Sequence, residues 1–271
     1  MNRKPRWSAL RSVAGPLLAV LLWTVVGANA VFLLLLAGYP VAGLLAGALL
    51  LAWFLRAYLL RAGRPGELRR RAELRMRPLG RDALLATLAA VPVLFALSWA
   101  LGEVWTRLVP VPPETFTPFE SLTRTPEGRL TVVLFAVVAA PLVEELVFRG
   151  LVQGRLERRW GPARALAFTS VVFAVFHALP WVLPIHVMLG LVFGWAVYAT
   201  RSIWAGVLLH AANNSLAALG IGAGPPEIPP TVWRTGPTAE LWTALAVLAV
   251  SALLWLRVAR AMRAAGRSRR G

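Results

Sequence analysis

Long unbroken apolar runs dominate this chain, and they lack the regular polar interruptions of a soluble amphipathic helix or strand. They occupy residues 13–37, 40–59, 83–101, 130–148, 163–179, 184–200, 202–219 and 239–256. Each is close to the ~20 residues that a helix needs to cross a hydrocarbon core of about 30 Å. Lipid offers no partners to backbone N–H and C=O groups, so such runs are obliged to satisfy them internally, as helices. The pattern predicts an all-α, polytopic transmembrane bundle of about eight spans.

The polar stretches between the runs set the organisation. Residues 1–82 hold two spans and a basic loop, 83–258 a core of closely spaced spans, and 259–271 a basic tail. The segment ELRRRAELRMR, after the second span, has the composition of an amphipathic surface helix. The expectation there is a solvated loop that sets topology, ahead of a regulatory or substrate-docking collar. Prolines crowd the connection 102–129 and argue against helix throughout it, and 220–238 reads as a second Pro/Gly connector.

Composition supports the membrane reading. Hydrophobic residues make up 58% of the chain and charged residues 15%, against about 25% charged in soluble domains. The formal net charge of +17 is distributed by topology. With eight spans, one side collects Arg3, Lys4, Arg6 and Arg11, the eight arginines from Arg61 to Arg81, and the six from Arg257 to Arg270. It also collects Arg149, Arg155, Arg158, Arg159, Arg164 and Arg201, while the opposite side keeps Arg107, Arg124, Arg129 and Arg234. By the positive-inside rule both termini are cytoplasmic. The basic residues then face lipid headgroups, and no nucleic-acid partner is expected. Cysteine is absent, which removes disulfides, thiolate ligands and a cysteine nucleophile. The first run has no A-x-A-type ending and reads as an anchor span. Arginine in place of lysine, with abundant Ala, Leu, Gly and Pro, points to a bacterial cell (inner) membrane.

Candidate chemistry follows from the polar groups a bilayer tolerates poorly, since an ionisable residue inside a span costs roughly 2.5–3.5 kcal/mol even on insertion scales. Of the twelve acids, Glu144 and Glu145 sit well inside an apolar run, and the three histidines lie in the following spans. Residues four apart share a helix face, so Glu145 is placed to pair with Arg149. Glu144 points about 100° away, which leaves it the free, reactive carboxylate. Phe173 and His177 are four apart on the next span, as are His210 and Asn214 on the seventh. A carboxylate in a dry pocket suits general-base work. A histidine opposite it can share a water or protonate a leaving amine, and a second histidine with an amide can stabilise an oxyanion. No Ser-His-Asp arrangement, G-x-S-x-G or H-E-x-x-H is present. The span boundaries put Glu144 in the cytoplasmic half of its helix and His177 in the outer half of its own.

The three motifs E-E-x-x-x-R (Glu144, Glu145, Arg149), F-x-x-x-H (Phe173, His177) and H-x-x-x-N (His210, Asn214) resemble those of the CPBP family. That family holds the type II CAAX prenyl endopeptidases and bacterial relatives linked to bacteriocin processing or immunity. The resemblance covers roughly 83–258. It implies an intramembrane endopeptidase acting on a membrane-associated peptide or protein, with Glu144 and His177 activating water and His210 and Asn214 forming the oxyanion site. Glu145, Arg149 and Phe173 would support them. It implies no cofactor; the alternative is zinc held by Glu144, His177 and His210. His186 is an addition to the motif set and is expected to be an interfacial or satisfied histidine. The competing readings are a non-enzymatic immunity or scaffold protein of the same fold, and a transporter, for which the inverted repeat is missing.

Overall fold

A computed structural model describes residues 6–23, 30, 33, 34, 37–61, 63–112, 125–220 and 236–267. The Pro-rich stretch 113–124, the connector 221–235 and much of the second half of the first apolar run lie outside the described residues. Where they are described, the apolar runs are helical, and no strand occurs among the described residues. In chain order they are α1 (Arg6–Leu22), α2 (Pro40–Trp53, continued by the wider π-helical Phe54–Leu60), the short α3 (Glu67–Glu73) and α4 (Arg81–Leu108). Then come α5 (Pro126–Trp160), α6 (Pro162–Phe176), α7 (Leu183–Thr200), α8 (Ile203–Gly220) and α9 (Ala239–Arg267). Among the described residues, five helical stretches are long and apolar enough to cross a membrane: 41–60, 81–108, 126–160, 180–200 and 239–267; α1 and α6 are shorter and apolar.

Side-chain burial fits helices in lipid. Large apolar residues such as Leu18, Leu49, Trp53, Leu85 and Leu253 are exposed, while the polar groups Glu144, Glu145, Arg149, Gln153, Ser170 and His210 are buried. The polar interior is built around α5, which packs against α1, α6 and α8. Helix α9 lies along α4, and α6 against α7. That last pair approaches closely because Gly190 has no side chain: a Cβ there would sit 2.8 Å from the Cα of Ser170. Small residues at such crossings are how membrane helices gain contact without a hydrophobic driving force between them.

Two expectations change. Helix α5 does not end near residue 148; it continues through the polar GRLERRW to Trp160, because hydropathy marks the edge of the bilayer and not the end of a helix. Over these 35 residues Glu144 falls close to the midpoint of the helix. The segment 67–80 is also not a solvated loop. Arg70 and Leu74 are buried, Ile203 donates its N–H to the carbonyl of Arg75 at 2.9 Å, and Ser202 Oγ donates to the carbonyl of Arg77 at 2.5 Å. The segment is strapped across the turn between α7 and α8.

Candidate active site

Two wide-turn stretches, Leu134–Ala139 and Leu146–Gln153, flank the short α-helical segment Ala140–Glu145 that carries both carboxylates. Pro141 supplies a local cause for the first. It has no N–H to give and its ring crowds the carbonyl one turn back, so the ladder changes register just before it. Such π-type stretches alter which way successive side chains point and are common at functional sites.

Glu145 is the fixed member of the pair. It is fully buried, and its Oε1 lies 2.9 Å from Arg149 Nη1 and 3.0 Å from His210 Nδ1. Arg149, 1% exposed, also donates to the carbonyl of Gly190 at 3.3 Å. Its guanidinium sits 4.3 Å from the ring centre of Phe173, with Phe193 and Phe148 at 5.6 and 5.9 Å. A cation held among three aromatic faces and a carboxylate has replaced its water shell by fixed partners. The expected Glu145–Arg149 pair is present, but Glu145 has a second partner, His210, which spacing along a single helix cannot reveal. The ring of His210 is stacked on Phe193 with centroids 4.7 Å apart.

Glu144 faces a different histidine. Its Oε2 is buried, accepts no hydrogen bond among the described residues, and lies 3.9 Å from Nε2 of His177. His177 caps the C-terminus of α6, and its Nδ1 lies 2.8 Å from the carbonyl of Phe173. A carbonyl only accepts, so Nδ1 carries the proton and a neutral His177 turns its Nε2 lone pair toward Glu144. A separation of 3.9 Å is too long for a direct hydrogen bond and is the kind of gap one water bridges.

The structure thus arranges two carboxylate–histidine pairs, Glu144–His177 and Glu145–His210. Phe173 stands between them, edge-on to His177 at 4.7 Å and to His210 at 5.7 Å. Asn214 lies one turn beyond His210 and donates to the carbonyl of Ala136 at 2.8 Å, within the first wide-turn stretch of α5. Asn213 donates to Asn214 Oδ1 at 3.4 Å and accepts from Ser98 Oγ at 3.1 Å, so α4 braces the amide. Sequence reasoning missed Gln153, buried and donating to the carbonyl of Gly194 at 3.0 Å, and Gly206, whose bare Cα leaves room for Glu145. His186, expected to be an interfacial or satisfied histidine, is held by a backbone carbonyl. Its ring lies 4.2 Å from that of His177, with its Nδ1 3.1 Å from the carbonyl of Val182. The run P-W-V-L-P-I-H, which turns the chain back after His177, was the available signal.

Zinc needs three protein ligands at a catalytic site. Among the described residues no three His, Asp or Glu are disposed to hold a metal ion. Nδ1 of His177 and of His210 are engaged by Phe173 and Glu145, and the two imidazoles belong to different carboxylates.

Residues 126–216, which contain every residue of the three motifs, match the family model described as type II CAAX prenyl endopeptidase Rce1-like. A curated protein of Bacillus subtilis (strain 168), named "Putative membrane peptidase YdiL", is 24% identical over 88 residues, which is 32% of this chain and 36% of that protein. The match therefore spans about a third of that relative's length. No solved structure matches the chain. Together these similarities support the CPBP family, the one that the motifs resemble.

Proposed function

We propose that this integral membrane protein is a CAAX-protease-like intramembrane endopeptidase that hydrolyses a peptide bond with a water held between Glu144 and His177. The observation that carries the reading is the buried, unpartnered Oε2 of Glu144 set 3.9 Å from the lone-pair nitrogen of His177. One water bridging them has both protons held, one by each group, and its oxygen lone pair is free for a carbonyl carbon. As the C–O bond forms, Glu144 takes one proton. It then delivers that proton to the departing amine as the C–N bond breaks, and carboxyl and amine products leave.

His210 and Asn214 are the oxyanion donors in this scheme. His210 donates Nδ1–H to Glu145, so it can present an Nε2–H only as the imidazolium. Glu145 is the counter-charge, Arg149 its anchor, and Phe173 the spacer that keeps the two histidines apart. The substrate is a membrane-associated peptide or protein, and no metal takes part. We further take the chain to cross a bacterial inner membrane about eight times with both termini in the cytoplasm, as its arginines suggest.

The test compares protein termini in membranes carrying the wild-type chain or Glu144→Gln, with and without a zinc chelator. Termini that appear only with the wild type, and persist under chelation, are the expected result. Identical termini in both membranes would sink the protease reading in favour of a non-enzymatic scaffold. Loss on chelation that stoichiometric zinc restores would overturn the metal-free mechanism alone.

A further inference from the structure

A cavity of about 630 Å³ lies away from the carboxylate–histidine pairs, where α2 and α3 meet the polar end of α5. It is lined by Arg61, Arg69, Arg70, Arg155 and Arg158, with Glu73, Gly66, Pro65 and Ala72. Five arginines face one carboxylate, and that carboxylate is already engaged. Glu73 accepts from Arg70 Nη1 at 2.9 Å and from Arg155 Nε at 2.8 Å. Burial pushes its carboxyl up, but those two hydrogen bonds, with the charges of Arg155 and Arg70, together hold it below the ordinary carboxylate range. Arg70 and Arg155 are further fixed through the carbonyls of Leu59 and Ser12, at 2.9 and 2.6 Å. These bonds order the walls. Arg61, Arg69 and Arg158 form no ion pair among the described residues, and all three are exposed.

We propose that this cavity binds a phosphate group, at the cytoplasmic headgroup level of the membrane. Its size falls in the ~300–1,000 Å³ range of small-molecule clefts, too large for a bare counter-ion and suited to a phosphate with a glycerol-sized body. Guanidinium forks are the side chains best matched to phosphate oxygens. Depth agrees. Arg61 directly follows the last turn of α2, and Arg158 stands two residues before the end of α5. Leu45, Leu49 and Trp53, four residues apart and exposed on α2, offer an apolar track leading toward Arg61 that would suit an acyl chain. The site joins the N-terminal spans to the helix that carries Glu144, and the family match, which starts at residue 126, does not assign it.

The experiment uses the full chain in zwitterionic nanodiscs, with binding read by native mass spectrometry and thermal shift. The probes are short-chain phosphatidylglycerol, short-chain phosphatidylcholine, glycerol phosphate and a tetraglutamate peptide. One variant carries Arg61→Gln, Arg69→Gln and Arg158→Gln. A control of equal charge carries Arg164→Gln, Arg260→Gln and Arg267→Gln at exposed positions elsewhere. Phosphatidylglycerol binding that falls about tenfold or more in the first variant and little in the control is the expected result. If glycerol phosphate binds comparably and competes, the site is real and its ligand is soluble; if it does not, the ligand is a lipid headgroup. Changing the same three arginines to lysine keeps the charge without the fork and should give an intermediate loss. Equal losses in variant and control would reduce the effect to diffuse attraction and overturn the proposal. So would binding of the acidic peptide alone, or of no anionic probe.

Discussion

Replacing Glu145 by glutamine should destabilise the fold by about 3 kcal/mol, the lower end of what breaking a buried ion pair costs. The magnitude follows from what stays behind. Arg149 is 1% exposed and cannot swing to water, and its other partners, the Gly190 carbonyl at 3.3 Å and the Phe173 face, carry no full negative charge. Glutamine keeps a carbonyl oxygen for Arg149 and His210, which is why the lower end applies. At ~2–4 °C per kcal/mol for a chain of this size, the melting temperature in detergent should fall by about 6–12 °C. Glu144→Gln is the counter-experiment. Glu144 Oε2 has no hydrogen bond to lose, and a neutral amide is easier to bury than a carboxylate, so stability should be unchanged or higher while turnover is abolished. Adding Arg149→Met to Glu145→Gln removes the orphaned cation and should recover much of the loss. The reasoning fails if the two single variants melt alike, or if the double variant is less stable than Glu145→Gln by the full cost of a second lesion.

Packing and topology give further checks. Gly206→Ala would put a Cβ 2.5 Å from Glu145 Oε2 and 2.7 Å from Val197 Cγ2, costing about 1–3 kcal/mol by overpacking. Gly154→Ala meets nothing nearer than 3.6 Å and should be neutral or slightly stabilising; equal melting of the two would refute the crowding at Gly206. Single cysteines at Arg64 and Thr117 should report opposite sides: an impermeant thiol reagent on intact cells labels Thr117→Cys and spares Arg64→Cys, and the reverse pattern would invert the topology.

Much of the site could be read from spacing, because i,i+4 rules govern each helix separately. They gave Glu145 with Arg149, Phe173 with His177, and the shared face of His210 and Asn214. They could not say which carboxylate each histidine meets, since that depends on how α5, α6 and α8 are rotated about their axes. The wide turns on both sides of Ala140–Glu145 alter that rotation, and apart from Pro141 they leave little trace in the sequence. The apolar runs located the long helices, as far as these residues are described. They understated α5 because a helix continues into water as readily as its capping allows. The 67–80 segment was misjudged for a related reason. Arginine-rich composition looks solvated until its partners, Glu73 for Arg70 and Arg155, and Glu157 for Arg75, are brought together from positions up to 82 residues apart.

The strap across the α7–α8 turn has a consequence for biogenesis. The carbonyl of Arg77 waits for a hydroxyl made 125 residues later, an interval of about 6–25 s at ~5–20 residues per second. Throughout that delay the carbonyls of this segment must stay hydrated. The seam between this segment and the α7–α8 turn can therefore close only after α5, α6 and α7 have been made. A chain stalled before Ser202 would carry both carboxylates with its clasp still open.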